Sequence, residues 1–162
     1  MSHDNASSPP SPEFCCWIDQ ERLKQLLPHQ GNALLIDKAL VYPQKYRGDG
    51  FLTTALAMHV FDGHFPGRPI MPGHWLIEFA SLTCATIFTV SSGIPITGTA
   101  GVRIVSIDGI RFKAEVRPGD KLICEATLIQ RKKILALFSA TIRTRAERKE
   151  VCRIKELVGI LV

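Results

Sequence analysis

The spacing of apolar residues changes character three times along this chain. From Asp19 onward, Leu23, Leu26 and Leu27 share one side of a helical repeat, and Glu21, Arg22, Lys24 and Gln25 take the other. Asp19 is placed to cap that helix and Pro28 to end it. Residues 33–46, rich in Leu, Ile and Val, predict a strand or strand pair with an edge or bulge at Pro43. Gly48-Asp49-Gly50 predicts a turn, and residues 51–60 a second strand. A long helical repeat then covers residues 73–90. Leu76, Phe79, Ala80, Thr83, Ile87 and Val90 line one face, and Trp75, Glu78, Leu82 and Ala85 another. Ser91-Ser92-Gly93 and Pro95 stop it. Beyond that point the period is two, predicting strands over residues 99–112, 121–130, 134–145 and 151–162. Turns are expected at residues 117–120, 131–133 and 146–150. Two strands, one long helix and about four further strands predict an α+β domain, a mostly antiparallel sheet packed on a single central helix.

Composition adjusts this picture at the edges. Residues 1–14 are rich in Ser, Pro and Asn and predict a disordered tail, leaving residues 15–162 as one domain. Apolar residues make up 46% and charged residues 22%, a globular balance. Residues 79–96 carry no charge and are about as long as a membrane-spanning helix. Their many Ser and Thr residues favour a buried core helix, apolar on every side because protein surrounds it. Five cysteines without C-x-x-C spacing predict reduced thiols in a cytoplasmic protein, not zinc or a disulfide framework. There is no secretory pattern at the start. The net charge of +5 suggests an acidic partner, although the basic residues form no long block.

The chemistry concentrates in residues 62–78. A loop rich in Gly and Pro carries His64, and the charge-poor helix that follows carries Glu78, the only charged residue between Arg68 and Arg103. A carboxylate in apolar company calls for a reason, because an unpaired buried charge is costly. A proton donor or acceptor working with the histidine would supply one. His3, His29 and His59 are read as tail, loop and strand-edge residues without a role.

Gly63-His64-Phe65-Pro66-Gly67-Arg68-Pro69-Ile70-Met71-Pro72-Gly73, with Glu78 fourteen positions after the histidine, resembles the β-hydroxyacyl-[acyl-carrier-protein] dehydratases of dissociated fatty-acid synthesis. Leu27-Pro28-His29 with Leu34-Leu35-Ile36-Asp37, and Ile110 to Lys113 with Val116 to Asp120, are similar to that family in the same order. The resemblance implies a hotdog fold, a homodimer or trimer of dimers, and an active site between subunits. It implies that His64 is the base and Glu78 the acid in removing water from 3-hydroxyacyl thioesters, with no cofactor and no metal. A raised pKa at Glu78, with Trp75 and Leu82 on its face, would suit that role. Amides near Gly73 and His74 would bind the thioester oxygen, and Phe65, Pro72, Trp75 and Leu82 would contact substrate. The sequence departs from the family pattern at His74, Trp75 and Leu82. An acidic acyl carrier protein is the implied partner, with Arg68, Arg103, Arg111, Lys113 and Arg117 as docking candidates; neither nucleic acid nor membrane insertion is expected. A hotdog thioesterase and a catalytically weak acyl-binding subunit are the alternatives.

Overall fold

Strand pairing in the computed structural model, which describes residues 14–94 and 102–161, gives one seven-stranded antiparallel sheet. The elements are β1 (Cys16–Ile18), α1 (Gln20–Leu26), β2 (Lys38–Tyr42), β3 (Arg47–Thr53), α2 (Gly73–Ser92), β4 (Val102–Phe112), β5 (Lys121–Lys132), β6 (Leu135–Thr144) and β7 (Glu150–Leu161). The sheet order is β1-β2-β3-β5-β6-β7-β4. The α+β arrangement expected from the sequence is therefore present, with α2 packed on β2, β3, β5 and β6. The tail over residues 1–13 and the stop at Pro95 lie outside the described residues.

The signals at helix ends act as read. The Asp19 carboxylate accepts a hydrogen bond from the Arg22 amide at 2.8 Å, capping α1. Gly93 closes α2 in the left-handed region, its amide donating to Thr89 O.

The first half of the sheet departs from expectation. The segment over residues 33–46 shortens to β2, and the chain turns at Pro43–Lys45, with Tyr46 at φ 45°. Gly48-Asp49-Gly50 is the middle of β3 and not a turn. Neither glycine has a positive φ; both are needed for space. A Cβ on Gly50 would lie 2.1 Å from Thr83 Oγ1, and one on Gly48 would lie 3.0 Å from an Ile87 side-chain carbon. Three of their four cross-strand neighbours are also small: Ala39 and Cys124 flank Gly50, and Ala126 flanks Gly48 opposite Val41. Together they form a low floor on which α2 rests. The predicted second strand stops at Thr53, and β1 had no sequence signal.

Burial on that floor explains the charge-free helix. Phe79, Ala80 and Ile87 are fully buried, and Thr83, Thr86 and Thr89 are buried with them. Two of these hydroxyls satisfy themselves within the helix, Thr83 donating to Phe79 O at 2.9 Å and Thr86 to Leu82 O at 2.8 Å. α2 is long and apolar enough to cross a membrane by length and composition, but 61% of its most apolar window is buried inside the fold.

Because Gly50 supplies clearance, Gly50→Ala should lower unfolding stability by about 1–3 kcal/mol through overpacking. Adding Thr83→Ala should recover part of the loss. Denaturant melts of the three variants check this, and an unchanged midpoint for Gly50→Ala would contradict the clearance argument.

Candidate active site

The histidine loop is held by its own backbone. Gly63 and Gly67 sit at φ 71° and 73°, where a side chain would be strained. Phe65 and Arg68 exchange amide-to-carbonyl hydrogen bonds, and the Ile70 amide donates to His64 O at 2.8 Å. Met71 N donates to Val116 O at 2.8 Å, tying the loop's end to the segment after β4. The His64 ring lies 2.9 Å from Ile70 O through Nδ1. A carbonyl only accepts, so the proton belongs on Nδ1 and Nε2 is left with a free lone pair. Phe65 stacks on the imidazole at 4.1 Å and is itself exposed.

Glu78 lies on α2 at a separate place. Its side chain is 31% exposed, so it is not sealed among apolar residues as its isolation in the sequence suggested. It borders a cavity of about 240 Å³ walled mainly by apolar side chains, among them Leu82, Ala85, Phe88, Phe138 and Leu157. Arg103 and Ile104 of β4 complete one rim. Leu82 thus shares a cavity with Glu78, whereas His64 and Trp75 are not among its lining residues. His29, read from sequence as a loop residue without a role, lines the same cavity, its Nε2 3.7 Å from Glu78 Oε1. Its signal was available in Leu27-Pro28-His29, but nothing local to that tripeptide points at residue 78. Cys84 also lines the wall. Burial pushes its thiol well up, with Cys124 adding to the effect, so it serves as apolar surface and not as a nucleophile.

At the start of α2, Pro72 offers no side-chain cap. Trp75 N donates to Pro72 O, while the Gly73 and His74 amides have no acceptor among the described residues. These two amides point along the helix axis at its positive end. A Cβ on Gly73 would meet the Phe112 ring at 2.8 Å, so here the glycine admits an aromatic ring from β4. Trp75 meets His59 edge-on at 4.8 Å, and His74 is exposed. Among the described residues no three His, Cys, Asp or Glu side chains gather into a metal-binding group.

The five basic candidates divide by partner. Arg68 and Arg117 both bind Glu115, at 2.9 and 3.2 Å, and Arg117, with Arg68 beside it, holds that carboxyl below its usual range. Lys113 pairs with Glu150 at 2.8 Å. Arg103 and Arg111 are exposed and face no carboxylate partner among the described residues.

The chain has relatives among known proteins, both in sequence and in fold. Residues 47–153 match the ApeI-like family, described as ApeI dehydratase. The chain is 33% identical over 140 residues to the 3-hydroxyacyl-[acyl-carrier-protein] dehydratase FabZ of Ralstonia nicotianae, covering 84% of this chain and 85% of that protein. It is 32% identical over 124 residues to the Janthinobacterium FabZ, covering 76% and 80%. Among solved structures, the dehydratase heterocomplex ApeI:P from Xenorhabdus doucetiae has a TM-score of 0.51 at 19% identity, covering 73% of this chain and 90% of that one. A hypothetical thioesterase with coenzyme A from Streptococcus pneumoniae has a TM-score of 0.54 at 9% identity, covering 72% and 78%. These structural likenesses define the class as a hotdog fold. Within that class, the chain belongs to the 3-hydroxyacyl-[acyl-carrier-protein] dehydratase family.

The ion pairs around Glu150 at the start of β7 respond to acid. Lys113 and Arg153 beside Glu150 hold its carboxyl down at about 2, against an ordinary value of 4.5. A depressed carboxylate stabilises the fold above its unfolded value, and that contribution fades as pH falls from about 4.5 toward 2. Thermal melts over this window should show a falling midpoint in the parent and a shallower fall in Glu150→Gln. Parallel curves would remove Glu150 from the acid response.

Proposed function

We propose that the chain removes water from 3-hydroxyacyl-[acyl-carrier-protein] thioesters in the cytosol, giving trans-2-enoyl thioesters, with His64 as base and Glu78 as acid. The observation that carries this reading is the Nδ1–Ile70 O hydrogen bond, which in the neutral ring holds the hydrogen on Nδ1 and leaves the Nε2 lone pair to take a proton. Nε2 takes the proton from the α-carbon, and the electron pair forms the new double bond. The 3-hydroxyl leaves as water with a proton from Glu78. The Gly73 and His74 amides suit the thioester oxygen as charge builds on it. The apolar cavity beyond Glu78 suits an acyl chain.

His64 of one chain does not line the cavity that Glu78 borders, so in this reading the working site pairs His64 of one subunit with Glu78 of another. β4 supports this assembly: it is an edge strand of eleven residues, and Ile104, Val105 and Phe112 along it are each more than two-fifths exposed. A long apolar edge is a template for a second copy. A homodimer, or three such dimers, covers it.

His64→Ala and Glu78→Gln should each abolish hydration of an enoyl thioester without loss of fold. Coexpressing the two should restore about a quarter of parent activity, since half of randomly formed dimers carry one intact site of two. Failure to recover activity in verified mixed dimers would rule out the shared site, and tight acyl-carrier binding without turnover by the parent would rule out the dehydratase. For docking, Arg103→Glu and Arg111→Glu should weaken carrier-linked substrate more than a small thioester analogue. Equal losses on both would dismiss the docking role.

A further inference from the structure

His29 has no part in the reaction as written, yet it is the side chain that reaches Glu78. Its position is well anchored. Leu23 and Leu27, just upstream, are buried at 0% and 2% exposure, and Gln30 Nε2 donates to Lys24 O at 3.3 Å across the same bend. The ring therefore enters the cavity from a braced segment. Its two nitrogens meet different surroundings. Nδ1 is buried and has no hydrogen-bond partner, while Nε2 faces Glu78 Oε1 at 3.7 Å. Nδ1 is without a partner in either tautomer, so the choice falls to Nε2, which meets a carboxyl oxygen favourably when it carries the hydrogen. Glu78 has no other hydrogen-bonding or ionic side-chain partner among the described residues. Arg103, on the rim contributed by β4, is the other charged residue lining the cavity.

We propose that His29 is a positioning residue for the acid: its Nε2–H aims the Glu78 carboxyl and meets the negative charge that forms there when Glu78 releases its proton to the departing hydroxyl. This rests on the dehydratase reading of Glu78. Glutamate has three side-chain torsions to restrain, and one braced donor restricts them before substrate arrives. At 3.7 Å the contact is longer than a hydrogen bond, and such contacts tighten when substrate closes the site. The donor gains most when the carboxyl becomes a carboxylate, late in the step. An interaction that strengthens toward the transition state raises kcat and leaves KM nearly unchanged. A purely structural side chain would act on stability, or on kcat and KM together.

The test compares full-length parent, His29→Leu, His29→Gln and Glu78→Gln in dehydration of a 3-hydroxyacyl thioester, with kcat, KM and melting temperature measured for each. Leu removes the donor, whereas Gln keeps an N–H at the ε position. His29→Leu should lose roughly tenfold or more in kcat with KM changed by less than about threefold, and His29→Gln should return to within about threefold of the parent. Parent-level kcat in His29→Leu, a loss confined to KM, or a folded His29→Gln as impaired as the Leu variant would each overturn the proposal. Should His29→Leu fail to fold, His29→Asn replaces it: the side chain stays polar with its donor withdrawn by one bond, the same loss is expected, and activity equal to His29→Gln overturns the proposal. An inactive parent, or an active Glu78→Gln, removes the dehydratase reading itself. An active parent with inactive Glu78→Gln and unimpaired His29→Leu removes this inference alone.

Discussion

Everything in this fold depends on how closely α2 can lie on the sheet. The contact between Gly50 and Thr83 has no room for even one methyl group. Small residues at neighbouring positions of β2, β3 and β5 extend the same low surface. A helix seated this deeply must be free of charge through most of its length, and the Thr83 and Thr86 hydroxyls turn back on its own carbonyls. Glu78 escapes that rule because it stands near the helix start, where the face turns from the sheet toward an open cavity. Helix depth thus sets the position of the carboxyl group.

The histidine is placed by a different device. Its loop is shaped by backbone hydrogen bonds and two left-handed glycines. The same device sets the chemistry, since the carbonyl that steadies the ring also decides which nitrogen is free. Rigid support and proton placement come from one hydrogen bond.

Much of this was readable from the sequence. The long helix, its end at Gly93 and the strands after it follow from periodicity and capping. His64 and Glu78 stood out because each is chemically unlike its neighbours. The errors share a cause. Gly48 and Gly50 read as a turn because glycine signals either backbone freedom or lack of bulk, and one strand alone does not say which. The reason lay at Thr83 and Ile87, more than thirty positions away. His29 was passed over for the same reason: its meaning lies in its distance to Glu78, and that distance belongs to the fold. Isolation along the chain made Glu78 look buried, although exposure is decided by the elements around it.

β4 pairs with β7 and with no strand nearer to it in sequence. Val102 and Ile104 on one strand and Leu157 and Gly159 on the other together form part of the cavity wall. During synthesis, then, the helix can already be lying on β2 and β3 while this wall is still missing. The cavity closes only after β7 has been made and has bridged a separation of some fifty residues, the slow kind of contact in folding. Until that pairing forms, the cavity beside Glu78 lacks the wall that β4 and β7 supply.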